Sequence, residues 1–458
     1  MTAKATRTTL PRVWTLAWPL ILSNVTVPLL GLVDTAVMGH LPASEYLGAV
    51  TLGATLFSFL YWGFGFLRMG TTGFAAQAHG RRDADALRLL LAQALCLAGG
   101  IGVALILSHP VVVPAGLAVL DGSERVTALA DTYARWRIAS APAVLANYVL
   151  IGWFLGLGRS RVTLALMLVN NLTNIVLDLW LVVGLGWTVA GVALASVIAD
   201  YLTLAVGMTF ALGTLSRLGG HLHWRRLLAP ARYARLLHVN GALFVRTLCL
   251  LFAMAFFHAQ GARLGDEILA ANAVLMQFVL LTSYALDGFA HAAEALVGRA
   301  VGRGGRRHLS AVVHAATIWS LAAAASASLG FALAGEWIIA QLTDIENVRM
   351  LASTYLPWLV VMPLVAVWSY LLDGMFIGAT RARPMRDTMI LAVLVVYLPA
   401  WYLASPLGNH GLWLAFTAFT AARSASLALV FRRCGYGASW LPRGAAGGRR
   451  TATASATA

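Results

Sequence analysis

Six carboxylates stand inside stretches of this sequence that are otherwise apolar: Asp34, Asp178, Asp200, Asp287, Glu294 and Asp373. An ionised side chain in hydrocarbon is costly, roughly 2.5–3.5 kcal/mol at a helix centre, and as a rule faces a partner or a water-filled cavity. Asp178 is the most informative, because Asn174 lies four residues before it. On a helix these two share one face. Counted at 1.5 Å per residue, Asp34 lies roughly 33 Å beyond Arg12 and Asp178 roughly 26 Å beyond Arg161. Both therefore fall towards the same end of their helices, and Ser196, which enters the next apolar run from that end, reaches the same level. Two carboxylates, an amide and a hydroxyl make an oxygen-rich site. Asp34, Asn174 and Asp178 suit Na⁺ as ligands. The group suits H⁺ equally, since burial and a like charge both favour a protonated carboxyl.

The other four acids carry competing readings as sites of coupling or substrate binding. Asp200 is expected close to the cytoplasmic end of its run. Asp287 and Asp373 are each followed by glycine, where a structural hydrogen bond at a helix kink competes with a functional role; Glu294 follows Asp287 by two turns. Pro19 and Pro28 interrupt the first run ahead of Asp34 and remove backbone bonds there. They predict a hinge whose bend responds to protonation of Asp34, against the simpler reading of a static bend. Arg68 reads as a snorkelling side chain near the cytoplasmic end of the second run, and Trp14, Trp18, Trp62, Trp337, Trp358 and Trp440 as interface anchors.

The elements that must position these groups follow from composition. The 458 residues are 60% hydrophobic and 11% charged, with a mean hydropathy of +0.77. Soluble proteins carry about 25% charged residues, so most of this surface must face lipid. Twelve runs are long enough to span, near 13–38, 48–72, 86–108, 131–156, 161–184, 188–212, 236–258, 267–292, 310–333, 350–377, 388–405 and 409–432. Helices are required, because lipid offers no partner to an unpaired backbone group. Of the 33 Lys and Arg, 25 fall on the N-terminal side of the alternating loops, and five, Arg137 among them, on the opposite side. That asymmetry predicts a multi-pass protein of the inner (plasma) membrane with both termini cytoplasmic. It also explains the net charge of +15 without nucleic acid.

The two halves align at an offset of 222 residues. AQAHGR (76–81) stands opposite GRAVGR (298–303), and GLGR (156–159) opposite GATR (378–381). The expected fold is therefore all-α and membrane-integral, with twelve transmembrane helices in two pseudo-symmetric six-helix lobes. A tail (1–12) precedes an N-lobe (13–212), a basic linker (213–235), a C-lobe (236–433) and a largely disordered tail (434–458). Ala400 stands opposite Asp178, so the acidic pair has no full counterpart in the second half. Cys96, Cys249 and Cys434 form no metal or disulfide pattern. His258 and His291 lie on different runs without HExxH or GxSxG context, which argues against an intramembrane enzyme. No cofactor beyond a transported H⁺ or Na⁺ is implied. The expected partners are small organic molecules and membrane lipids, with the chain acting as a monomer.

Several segments, in order, resemble the multidrug and toxin extrusion (MATE) family in its DinF-like branch. They are SNVTVPLLGLVDTAVMGHL (23–41), FLRMGTTGFAAQAHG (66–80), NIVLDLWLVVGLG (174–186), VAGVALASVIADY (189–201), NAVLMQF (272–278), YALDGFAHAAEALVG (284–298) and YLLDGMFIGATRA (370–382). The resemblance covers residues 13–433. It implies two six-helix lobes around a central cleft, and cation-driven export of organic, often cationic or amphipathic compounds. It implies cation-site roles for Asp34, Asn174, Asp178 and Ser196, where some relatives have threonine at the last, and bending at Pro19. Acidic residues of the C-lobe, here Asp287 and Asp373, serve in other branches. The nearest rival is a flippase of lipid-linked precursors. It would call for a basic cavity, and no cluster of intramembrane arginines is evident in the sequence.

Overall fold

The computed structural model describes residues 2–39, 44–120, 122–227 and 229–441, and the side chains of these apart from 2–5, 25, 27–39, 44, 224 and 230–232. The residues Asp34 and Pro28 thus lie outside the described side chains, as does the predicted tail from residue 442 onward. Among the described residues there is no strand. The first helix, α1, is continuous over Thr2–Gly39. Eleven further segments are long and apolar enough to cross a membrane: α2 (Glu45–Arg81), α3 (Ala84–Leu120), α4 (Glu124–Gly156), α5 (Ser160–Gly184), α6 (Val189–Leu218), α7 (Tyr233–Arg263), α8 (Asp266–Arg303), α9 (Arg306–Leu342), α10 (Glu346–Gly378), α11 (Ala382–Leu407) and α12 (Asn409–Arg433). Each of the twelve covers one predicted apolar run, and most extend beyond it at one end or both. Their polar terminal turns continue the helix where water can solvate side chains.

The repeat is written into the backbone. The turn after α2 uses a left-handed residue at Arg82, and the turn after α8 uses one at Gly304, 222 positions on. The turn after α4 uses Gly158, and the equivalent turn after α10 uses Thr380. Arg82 and Thr380 accept a conformation that glycine adopts at no steric cost, which marks the turn geometry as imposed by the fold. Two close helix crossings obey the same offset. A Cβ on Gly152 would collide with the backbone carbonyl of Arg68, and one on Gly374 with that of Ala290.

The chain forms two compact units that do not follow the predicted lobe boundaries. One contains 18–75 and 83–247; the other contains 1–17, 76–82 and 248 onward. Three helices therefore change unit along their length: α1 after Ala17, α2 after Ala75 and α7 after Thr247.

In the unit holding 18–75 and 83–247, the side chains of Trp153 and Phe154 are fully buried on α4. Trp153 Nε1 donates to the carbonyl of Leu87 at 3.2 Å. Arg88 on α3 closes the last turn of α6 by donating to the carbonyls of Leu215 (2.5 Å) and Gly219 (2.6 Å). These C-terminal carbonyls have no partner within the helix.

The other unit holds an aromatic core: Phe257, Phe278, Tyr397, Trp413, Phe416 and Phe419. A reciprocal amide pair is buried beside it. Asn272 Nδ2 donates to Asn409 Oδ1 at 2.8 Å, Asn409 Nδ2 donates to Asn272 Oδ1 at 2.9 Å, and Trp413 Nε1 adds a bond to the latter oxygen. Gln77 joins the end of α2 to this unit by donating to the carbonyl of Gly378 at 3.0 Å. Trp440 is a correction. Rather than anchoring at an interface, it is buried against Phe376 and Phe431 at ring separations of 5.1 and 5.4 Å. Residues 434–441 therefore fold back onto the unit, through turns with positive φ at Gly435, Tyr436 and Gly437. Trp14, also expected at an interface, stacks on Trp319 at 4.9 Å while 44% of it stays exposed.

Candidate functional site

Helices α5 and α6 run antiparallel, and their polar residues face one another in rungs. On α5 these are Asn170, Asn174 and Asp178, spaced by four so that one face carries all three; on α6 they are Ser196 and Asp200, also spaced by four. Asn170 Nδ2 donates to Asp200 Oδ1 at 2.9 Å. One turn along, the Asn174 amide lies 2.9 Å from Ser196 Oγ. Asn174 and Asp178 are buried, with relative exposures of 2% and 0%.

One orientation of the Asn174 amide meets its neighbours: Nδ2 donates to Asp178 Oδ2 at 2.8 Å, while the carbonyl accepts from Ser196 N (3.2 Å) and Ser196 Oγ (2.9 Å). Directly after Asp178, α5 widens into a π-helix over Leu179–Gly184. Such bulges recur at functional sites because they leave the regular bonding ladder interrupted.

The far rung continues into α4. Arg137 Nη1 makes an ion pair with Asp200 Oδ2 at 2.7 Å. The same guanidinium bonds Ser140 Oγ, and it lies over the Tyr61 ring at 5.4 Å. Asn147 Nδ2 donates to the backbone carbonyl of Asp200 at 2.9 Å. This overturns two expectations. Arg137 does not lie in a loop: α4 starts at Glu124, well before its apolar run, so the residue is thirteen positions inside the helix. Asp200 is not close to the arginine-rich end of α6, because that helix continues to Leu218, roughly 27 Å of rise away.

Helix α1 also meets α5 in this unit: Asn171 Nδ2 donates to Thr26 Oγ1 at 2.9 Å. From that contact both helices run the same way. Residue 34 is eight positions beyond Thr26 and Asp178 seven beyond Asn171, so their backbones stand at nearly the same height. Pro19 is buried on α1, two positions past the point where the helix changes unit.

The acids of the second half are arranged differently. Asp373 on α10 is paired with Arg423 on α12 at 3.3 Å, and the guanidinium lies over Phe419 at 5.6 Å. Glu294 on α8 is fully buried and Asp287 half-buried. Ser283, one turn before Asp287, bonds the Tyr370 hydroxyl at 2.5 Å. Asp373 and Arg423 each sit in a separate apolar run, so no short sequence pattern joins them. Arg68 is a further correction. It stands thirteen residues before the end of α2, roughly 20 Å by rise, too deep to snorkel to that end. Two other arginines deep in spans, Arg137 and Arg423, are paired with Asp200 and Asp373.

Among the described residues no three His, Cys, Asp or Glu side chains come together as a metal-binding group. Among the described side chains, the oxygens gathered at this rung come from one carboxylate, one amide and one hydroxyl.

A family model, MatE, matches residues 19–180 and 242–403, one stretch in each half. The chain is 46% identical over 431 residues to DNA damage-inducible protein F of Escherichia coli K12, covering 93% of each chain. It is 26% identical over 427 residues to the probable multidrug resistance protein NorM of Rhizobium meliloti 1021, covering 87% of each. Its fold matches a mutant of the MATE transporter VcmN of Vibrio cholerae with a TM-score of 0.87 at 18% identity, covering 95% of this chain and 99% of that one. A duplicated twelve-helix architecture, a family match in both halves and near-complete alignment with DinF together place this chain in the MatE family of multidrug and toxin efflux transporters, next to DinF.

Proposed function

We propose that this protein exports organic, often cationic or amphipathic compounds in exchange for an inward-moving cation, H⁺ or Na⁺, by alternating access. The observation that carries the reading is Asp178: fully buried within a span, next to a π-helix, and bonded through Asn174 to Ser196. With Asp178 ionised, Asn174 Nδ2 donates to it. When a proton or Na⁺ occupies the carboxylate, that charge-assisted bond weakens and Asn174 is held less firmly between Asp178 and Ser196. Cation occupancy thus becomes a change in the bonding between α5 and α6. Asp34 completes the site from α1, whose backbone stands at matching height, and Pro19, two positions past the point where α1 changes unit, serves as the hinge in the transport cycle. Each inward elementary charge supplies about 2.3 kcal/mol per 100 mV of membrane potential.

Arginine-rich loops on one side support an orientation with both termini cytoplasmic. The R. meliloti relative, a probable multidrug resistance protein, supports drugs as the substrate class. The pairing of Arg137 and Arg423 with carboxylates leaves less free positive charge for a lipid-phosphate substrate than a flippase would call for.

The deciding experiment is efflux of a fluorescent cation from proteoliposomes, with H⁺ and Na⁺ gradients imposed separately. One gradient alone should drive accumulation, and Asp34→Asn and Asp178→Asn should each abolish it. Gradient-driven transport surviving in both variants removes the coupling assignment.

A further inference from the structure

A cavity of about 680 Å³ opens on the unit of the second half, where α9 begins and where α10 and α12 end. Sites for small organic ligands span roughly 300–1,000 Å³. The walls are segregated by chemistry. Arg306, in the first turn of α9, and Arg432, in the last turn of α12, line it at the arginine-rich ends of these helices. Deeper lie Ile318, Trp368 and Leu372. Ile318 is twelve residues past Arg306, roughly 18 Å of rise, so the cavity extends from headgroup level well into the hydrocarbon zone.

The positive charge is unmatched. No carboxylate lines the cavity, and neither Arg306 nor Arg432 has an ion-pair or hydrogen-bond partner among the described residues. Helix α9 adds to the pull. Its N-cap is Gly305, which has no side chain to bond the first-turn N–H groups, and the first turn holds no acidic residue. Those N–H groups form the positive end of the helix dipole. Next to Arg432, Arg433 ends α12, and residues 434–450 add Arg443, Arg449 and Arg450 without an acid.

Two guanidiniums over an apolar trough match one chemistry: a phosphate diester carrying an acyl chain. Arginine binds phosphate through paired, charge-assisted hydrogen bonds. We propose that this cavity holds one anionic phospholipid of the adjoining leaflet, its phosphate between Arg306 and Arg432 and a chain along Ile318, Trp368 and Leu372. A zwitterionic lipid would bring its own cation to a mouth that already carries two. The cavity shares no lining residue with the coupling ladder.

The probe is Trp368, which lines the trough and is 39% exposed. Its fluorescence is isolated as the difference between the unsubstituted protein and Trp368→Phe, in membranes with phosphatidylglycerol or phosphatidylcholine brominated in the acyl chain. At low mole fraction, brominated phosphatidylglycerol should quench this component with roughly tenfold higher apparent affinity. The double variant Arg306→Gln with Arg432→Gln should bring it to the phosphatidylcholine level. Equal quenching by the two lipids would mean ordinary annular contact and overturn the proposal. So would loss of quenching on adding millimolar inorganic phosphate, which would assign the arginines to free anions, or on adding an organic cation, which would assign the trough to cargo. The comparison of lipids on the unsubstituted protein decides the matter even if the double variant misfolds.

Discussion

Helices α5 and α6 of the first half and α11 and α12 of the second arise at equivalent places in the repeat, yet they solve opposite problems. Between α5 and α6 the facing residues are Asn170, Asn174, Asp178, Ser196 and Asp200, joined rung by rung. At an offset of 222, the three α5 positions become Ala392, Val396 and Ala400. There the seam is filled by aromatic rings, with Tyr397 on Phe419 at 5.2 Å and on Phe416 at 6.4 Å. Both helices of the first type contain a π-helical stretch, but not in register: α5 widens at Leu179–Gly184, just after its acid, and α11 at Ala392–Tyr397, in its apolar seam. A duplicated bundle has kept its turns and close crossings while the chemistry of this interface has changed. The repeat therefore fixes the scaffold, and the departures from it mark where to look for function.

The sharpest way to break this comparison is to move the charge. Asp178→Asn keeps the shape and removes the ionisable group. Gradient-driven efflux should fall by about a hundredfold, near the top of the usual range for coupling between sites, while substrate binding measured without a gradient persists. Ala400→Asp in the Asp178→Asn background restores an acid at the equivalent position and should rescue nothing, because α11 offers no amide and hydroxyl beside it. Rescue would show the two seams to be interchangeable.

The second-half seam is predicted to matter for stability. Trp413 is fully buried and donates to Asn272. Trp413→Ala leaves a cavity and an amide oxygen short of one donor, and should cost about 3–5 kcal/mol, read as a large fall in the thermal midpoint in detergent. The protein that remains folded should still couple efflux to the gradient. An activity loss greater than the loss of folded protein would join this seam to transport.

Between these extremes lies the Arg137–Asp200 pair. Removing one partner of a buried pair strands a charge and costs about 3–5 kcal/mol. Asp200→Asn should therefore destabilise strongly, and Arg137→Gln with Asp200→Asn less than the sum of the single changes. A double-mutant cycle showing simple additivity would mean that Arg137 finds its stabilisation elsewhere, for instance over Tyr61.

The number and order of spans were legible because lipid forces long apolar helices, and the turns because GLGR, GATR and GRAVGR stand where the chain reverses. The clustering of Asn174 with Asp178 followed from a spacing of four, and Ser196 from counting rise inward. What escaped was charge paired across distant segments. Arg137 lies early in α4, where a basic residue at the edge of an apolar run reads as loop; only the preceding helical turns from Glu124 place it inside. Asn170 completes an i, i+4, i+8 stripe that was visible in the sequence, and matching it to the Ser196/Asp200 spacing on an antiparallel neighbour gives the ladder. Asp373 and Arg423 stand fifty residues apart on helices that only the folded chain brings together.

The smallest expected effect tests the ladder most finely. Ser196 contributes one hydroxyl to Asn174, and its removal in Ser196→Ala forfeits a hydrogen bond worth about 0.5–1.5 kcal/mol. Efflux should fall only a few-fold, with little change in thermal midpoint. The informative quantity is the ion concentration giving half-maximal exchange. Ser196 Oγ donates to the Asn174 carbonyl and so holds the amide against Asp178; its loss loosens the cation site and moves that concentration upward, while the maximal rate stays. Ser196→Thr retains the hydroxyl and should leave the concentration where it was. Should alanine and threonine behave alike, the Asn174–Ser196 rung is scaffold, and the difference between the two halves narrows to the carboxylates alone.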